Sequence, residues 1–163
     1  MPINTKRVEH RRHLRFESLD DILDDARHLA SSDVDCLGNW TLGMALGHLA
    51  RTMHASIDGV SYRAPGWMRL MARLMKHRFL TKPMPAGFQL PSKLADDFLP
   101  AEATSPEDGV AAVAAGIERL RTESRREPHP LFGQLSVDQW EQLHLRHAEL
   151  HLSFFVPHRG ETA

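Results

Sequence analysis

The sequence predicts an all-α protein, an antiparallel four-helix bundle with an extra helix and a Pro-rich insert. Three observations predict it. Apolar residues recur at three-four spacing in five separate segments. Most of those segments open on a capping signal. No segment alternates with the period of a strand, and no internal repeat is present. The chain has 163 residues, read as one domain over 1–163, with an N-terminal arm (1–16) and a tail (158–163).

Residues 1–16 are polar and basic, with Leu14 and Phe16 placed to dock on a core. Ser18 caps the first helix, and Asp20 and Asp21 lie in its first turn, where the helix dipole favours negative charge. Leu19, Ile22, Leu23, Ala26 and Leu29 or Ala30 form its inward stripe. A loop around Asp33 to Asn39 follows. The second helix is capped near Thr41, and Leu42, Ala45, Leu46, Leu49, Met53 and Ile57 form its apolar face. His48 stands at the edge of that face, and His54 on another side.

The third helix spans about 62–80 and opens near Pro65. It carries Trp67, Leu70, Met71, Leu74 and Met75, with Arg69, Arg73 and Lys76 opposite. A basic amphipathic helix suits a membrane surface or a partner groove. With a formal net charge of only -1, the reading taken is a bundle helix with a solvated basic face. Prolines crowd between Thr81 and Thr104. That segment is an irregular insert in which Phe88, Leu90, Leu94, Phe98 and Leu99 need burial, and long inserts of this kind often act as lids. Ser105-Pro106-Glu107-Asp108 starts the fourth helix with a cap, a proline and two acids.

The last helix is read from Ser136 to Pro157. Ser136 and Gln139 form a capping box, and Trp140, Leu143, His147, Leu150, His151 and Phe154 form its buried stripe. His147 and His151 are four residues apart, one turn apart on the same face, so both imidazoles reach one ion. Catalytic zinc sites take three protein ligands and keep one position open. His48 is the favoured third ligand, and His144 is the alternative. Against this stands a plain structural reading, in which histidines at this spacing are hydrogen-bonded core residues.

Other chemistries are excluded. His147-Ala148-Glu149-Leu150-His151 is not H-E-x-x-H, because Glu149 falls on the far side of the helix. The zinc-deaminase pattern needs a P-C-x-x-C, and Cys36 is the one cysteine. The same count rules out an internal disulfide and cysteine-rich zinc sites. There is no G-x-S-x-G and no phosphate loop. His144, Arg146 and Glu149 lie on the right helix for a general base, with no pointing direction assigned.

The stretches GNWTLGMALGHLARTMHASIDG and HPLFGQLSVDQWEQLHLRHAELHLSFFVP resemble the second and last helices of the DinB/YfiT-like superfamily of metal-binding four-helix bundles. The wording is closest to a branch that is a domain of unknown function. The resemblance implies a divalent metal held by one histidine of the second helix and an H-x-x-x-H pair of the last. Residue by residue these are His48, His147 and His151. Where the superfamily often has a His-His doublet, Leu150 replaces the first member. Activities in the superfamily include thiol-dependent transferases and isomerases and some hydrolases.

The functional expectation is a metal-dependent enzyme with zinc or nickel, a small-molecule substrate and a low-molecular-weight thiol as cosubstrate. The Pro-rich insert and the start of the chain would wall its pocket. The alternative is a non-catalytic dimerising or partner-binding bundle with a structural histidine cluster, using the Met-rich 67–75 face. No apolar run approaches the roughly 18 residues of a membrane span. The N-terminus lacks the apolar region of a secretory signal. A cytoplasmic protein binding neither nucleic acid nor membrane, and able to form a homodimer, is expected.

Overall fold

A computed structural model describes residues 2–87, 98 and 104–158. The chain is mostly helical. After a short 3-10 turn at Thr5–Arg7 come α1 (Leu19–Ala30), β1 (Val34–Cys36), α2 (Leu42–Asp58) and α3 (Gly66–Thr81). They are followed by α4 (Pro106–Thr122), α5 (Val137–Leu152) and β2 (Phe155–Pro157).

The capping residues do what their chemistry dictates. Ser18 Oγ accepts from the Asp21 amide, and the Asp21 carboxylate accepts from the Ser18 and Glu17 amides. Ser136 and Gln139 make the same reciprocal pair at the start of α5. Thr41 caps α2, and Ser105 caps α4 with Pro106 in the first turn.

Ile22 and Leu29 of α1, Leu46, Leu49 and Met53 of α2, Val113 and Ile117 of α4, and Leu145 and Leu152 of α5 meet in one buried core. The closest approach is α4 on α2. A Cβ at Gly109 would lie 2.7 Å from Leu46 Cβ, and one at Gly116 would lie 3.1 Å from Met53 Sδ. Two glycines seven residues apart thus let two backbones close over two large side chains that are also seven apart. A smaller cluster of Leu80, Phe132, Leu135, Trp140 and Leu143 seats α3 against α5.

The start of the chain docks as expected. Phe16 is buried and Leu14 packs on the core. Arg12 grips Asp25 with both nitrogens at 2.7 Å, and its amide donates to the Ser153 carbonyl at 3.0 Å. Asn39 exchanges two hydrogen bonds with the Ile3 backbone, which brings the first residues beside the loop before α2.

Three expectations are corrected. First, α5 ends at Leu152 rather than running to Pro157. Phe155–Pro157 turns extended and pairs antiparallel with Val34–Cys36, Cys36 opposite Phe155 and Val34 opposite Pro157. Second, the 33–39 loop therefore contains a strand. Both strands are three residues long, too short for alternation to register, and their pairing is non-local.

Third, α3 is turned the other way round. Trp67, Leu70, Met71, Leu74 and Met75 face solvent, while Ala72, Phe79 and Leu80 pack inward. The α5 side of α3 is filled by Phe132, Leu135 and Trp140, which select the narrow alanine-bearing face. Of the Pro-rich insert, Phe98 is described and is buried. Phe88, Leu90, Leu94 and Leu99 lie outside the described residues, as do 159–163 of the tail.

Candidate metal centre

The three histidines come together. α5 sets His147 and His151 one turn apart, and α2 brings His48 across from them. His147 Nε2 lies 3.0 Å from His151 Nε2 and 3.3 Å from His48 Nε2. One potential ligand atom from each residue lies within 4.8 Å of the other two. Among the described residues, no Cys, Asp, Glu or fourth His joins this group.

The proton on His48 can be assigned. Its Nδ1 stands 2.8 Å from the Phe98 carbonyl oxygen, which only accepts. Nδ1 therefore carries the hydrogen, and the Nε2 lone pair points at the cluster. Anchoring one ring nitrogen on a carbonyl orients the other for a metal. Burial lowers the pKa of all three rings, most for His147 and His151, which also repel charge on neighbouring histidines. Neutral imidazoles are the form that ligates.

That arrangement leaves a deficit. With His48 Nε2 unprotonated, a proton at His147 Nε2 or His151 Nε2 can satisfy one of the two short N···N contacts but not both well. The other brings nitrogen lone-pair density together in a buried setting, where an unmet polar contact is costly. A cation between the rings meets all three lone pairs at once. The donor set, three neutral imidazoles, suits a borderline divalent ion. His48 is buried, and His147 and His151 are intermediate in exposure.

Trp40 is the neighbour that sequence reading missed. Its ring stacks on His151 (centroids 5.1 Å apart, planes 7° apart) and leans on His48 at 4.9 Å. It lies one residue before the cap of α2, in the loop that the β1–β2 pair pins to the end of α5. The Leu37 amide donating to the Phe154 carbonyl at 2.9 Å extends that pinning. The one local signal was an aromatic residue immediately before a helix cap. The Phe98 carbonyl, supplied from the insert, had no sequence signal.

The remaining candidates are elsewhere. His144 is buried beside Trp140, with Nε2 3.3 Å from Ser56 Oγ, and does not join the cluster. Burial, reinforced by Arg126 and His129, holds its pKa at about 3. Arg146 and Glu149 face away from the histidines and bond each other at 2.8 Å. Glu149 also accepts from the Phe16 amide at 2.6 Å, and Arg146 donates to the Phe16 carbonyl. These two residues hold the N-terminal arm and are corrected from base candidates to a structural clamp.

Comparison with known proteins gives one assignment. No curated protein and no solved structure matches the chain. Residues 8–158 match a family described as a protein of unknown function, and this span takes in both halves of the histidine cluster. The chain therefore belongs to the DUF1569 family.

Proposed function

We propose that this protein is a divalent-metal-dependent enzyme whose ion is held by His48, His147 and His151. The observation that carries the reading is the convergence of three imidazole nitrogens with His48 locked in the ligating tautomer. The resemblance of the two histidine-bearing helices to the DinB/YfiT-like superfamily supports the same ligand set and a fold of that type. Zinc and nickel suit the donors best.

When bound, such an ion would lower the pKa of a coordinated water or hold a thiol as thiolate, the chemistry of a hydrolase or a thiol-dependent transferase. The chain's own contributions are more specific. The Phe98 carbonyl holds the His48 proton on Nδ1. Trp40 fixes the plane of His151 and shields one side of the cluster from water. His147 and His151, less buried than His48, lie on the side from which a small-molecule substrate would approach the ion. Three protein ligands match a catalytic site, whereas a purely structural zinc site is closed by a fourth.

The test is the metal content of freshly purified protein by elemental mass spectrometry, for the wild type and for His147→Ala. Near-stoichiometric zinc or nickel is expected in the wild type and is lost in the variant. A wild type that is metal-free and takes up neither ion when supplied ends the metalloenzyme reading. The non-catalytic bundle, with its histidines a structural cluster, would then stand in its place. With metal established, thiol-transfer and hydrolysis screens separate the two reaction classes.

A further inference from the structure

The outward face of α3 is the largest departure from a soluble bundle's usual economy. Trp67, Leu70, Met71, Leu74 and Met75 recur at three-four spacing on one side of the helix, and all are exposed, Trp67 by 71% and Leu74 by 74%. A contiguous exposed apolar surface of this kind marks an interaction site. It is a convex ridge, not a groove.

Charge identifies what covers it. From Arg63 to Lys82 the chain has six Lys or Arg and no Asp or Glu, although the whole protein carries a formal net charge of -1. Positive charge is thus concentrated around the ridge. Arg73, His77 and Arg78 are exposed on α3 itself, with Arg63 and Lys82 exposed beyond its two ends. Away from the ridge, on the side of α3 that faces the protein, Arg69, Arg73 and Lys76 line a cleft of about 250 Å³ together with Phe132, Gly133 and Gln134. None of the three cations forms a side-chain ion pair or hydrogen bond among the described residues.

A second copy of the chain fits poorly, because a symmetric contact through α3 would set one acid-free helix against another. An anionic phospholipid surface fits both features. Acyl chains accept the apolar ridge, and phosphates lie at the depth where the flanking cations reach. Trp is itself favoured at that depth.

We propose that α3 docks this protein on anionic membrane surfaces, with the ridge from Trp67 to Met75 entering the headgroup boundary and the exposed Arg63, Arg73, Arg78 and Lys82 around it taking lipid phosphate. Docking is peripheral: no helix of the described residues is long and apolar enough to cross a membrane. This replaces the expectation of no membrane partner, which rested on net charge rather than on where the charge lies. It does not depend on the metal reading.

The test is co-sedimentation of the full-length protein with vesicles of phosphatidylcholine alone, or mixed with phosphatidylserine in about a two-to-one ratio. Binding is expected only to the mixed vesicles, falling when salt rises from about 50 mM to about 500 mM. The double substitution Leu70→Glu, Leu74→Glu weakens binding by about tenfold or more, as does Arg73→Glu with Arg78→Glu. All four sites are exposed, and unchanged circular dichroism confirms that the variants fold. Tryptophan emission shifts to the blue on binding, and that shift is absent in Trp67→Phe. The proposal is overturned by failure to bind the mixed vesicles at low salt, or by equal binding of the Leu70→Glu, Leu74→Glu variant. A concentration-dependent dimer that the same variant splits would reassign the ridge to a second copy.

Discussion

Two sides of α5 bury polar groups in opposite ways. One side carries His147 and His151, four residues apart, with His48 facing them from α2. The other carries Arg146 and Glu149, three residues apart, closed on each other and on the backbone of Phe16. The difference lies in charge complementarity. Opposite ions at helical spacing attract one another, so Arg146 and Glu149 close a clamp through Nη2 and Oε1, although Arg146 Nε and Nη1 and Glu149 Oε2 have no hydrogen-bond partner among the described residues. Like groups at helical spacing cannot do so, so three imidazoles with converging lone pairs define a place for something the chain does not itself supply. Burial alone therefore does not separate a functional polar cluster from a structural one; the chemistry of the pairing does.

His147→Ala breaks the histidine side most completely. Metal is expected to fall from near one ion per chain to near none, and the added stability at saturating zinc (about 2.7 kcal/mol at a hundredfold excess over Kd) should vanish. Differential scanning calorimetry with and without zinc reads this directly. Glu149→Ala breaks the other side. It leaves Arg146 charged and unpaired in the core and should cost about 3–5 kcal/mol. Urea unfolding measures that loss, and the folded fraction should keep its metal. A Glu149→Ala protein that loses metal without losing stability would erase the distinction between the two sides.

Trp40→Leu sharpens the histidine side. Losing a stacked aromatic contact worth about 0.5–1.5 kcal/mol should weaken metal binding by about tenfold or less, with little change in global stability. Titration with a competing zinc indicator checks this.

The smallest effect concerns the strand clip that joins the end of α5 to the loop bearing Trp40. His158 lies between Asp33 and Asp35, and its bond and attraction to Asp35, then to Asp33, raise its pKa. A raised folded pKa contributes stability that is complete below the unfolded value of about 6.5 and disappears as pH climbs through the folded value. The Tm of His158→Gln should thus fall below that of wild type at pH 5.5, and the two should converge at alkaline pH. An equal gap at both pH values would mean that the histidine charge does not hold the clip.

Much of the architecture was legible because its signals are local. Ser18, Thr41, Ser105 and Ser136 each cap a helix whose apolar stripe follows at helical spacing, and both links arise within a few residues of chain. The meeting of His48 with His147 and His151 was legible for the same reason, once two amphipathic faces were assumed to share a core. What failed depended on partners far away in sequence. The last helix was read through to Pro157 because Phe154 continues its stripe, yet Val34–Cys36 offers Phe155–Pro157 a ladder that helix geometry cannot.

Composition and periodicity by themselves determined that this chain would form capped amphipathic helices around a core, with two imidazoles on one face of the last. Only the tertiary structure decided which face of α3 points inward. Its apolar stripe is an equally good helix signal whether buried or bare, and the choice was made by the Phe132, Leu135 and Trp140 surface it meets. The tertiary structure also decided that Trp40 and the Phe98 carbonyl flank the histidines, and that Arg146 and Glu149 clamp Phe16 instead of serving the site. Periodicity specifies the rotation of residues about a helix axis; the direction each face looks is a property of its neighbours.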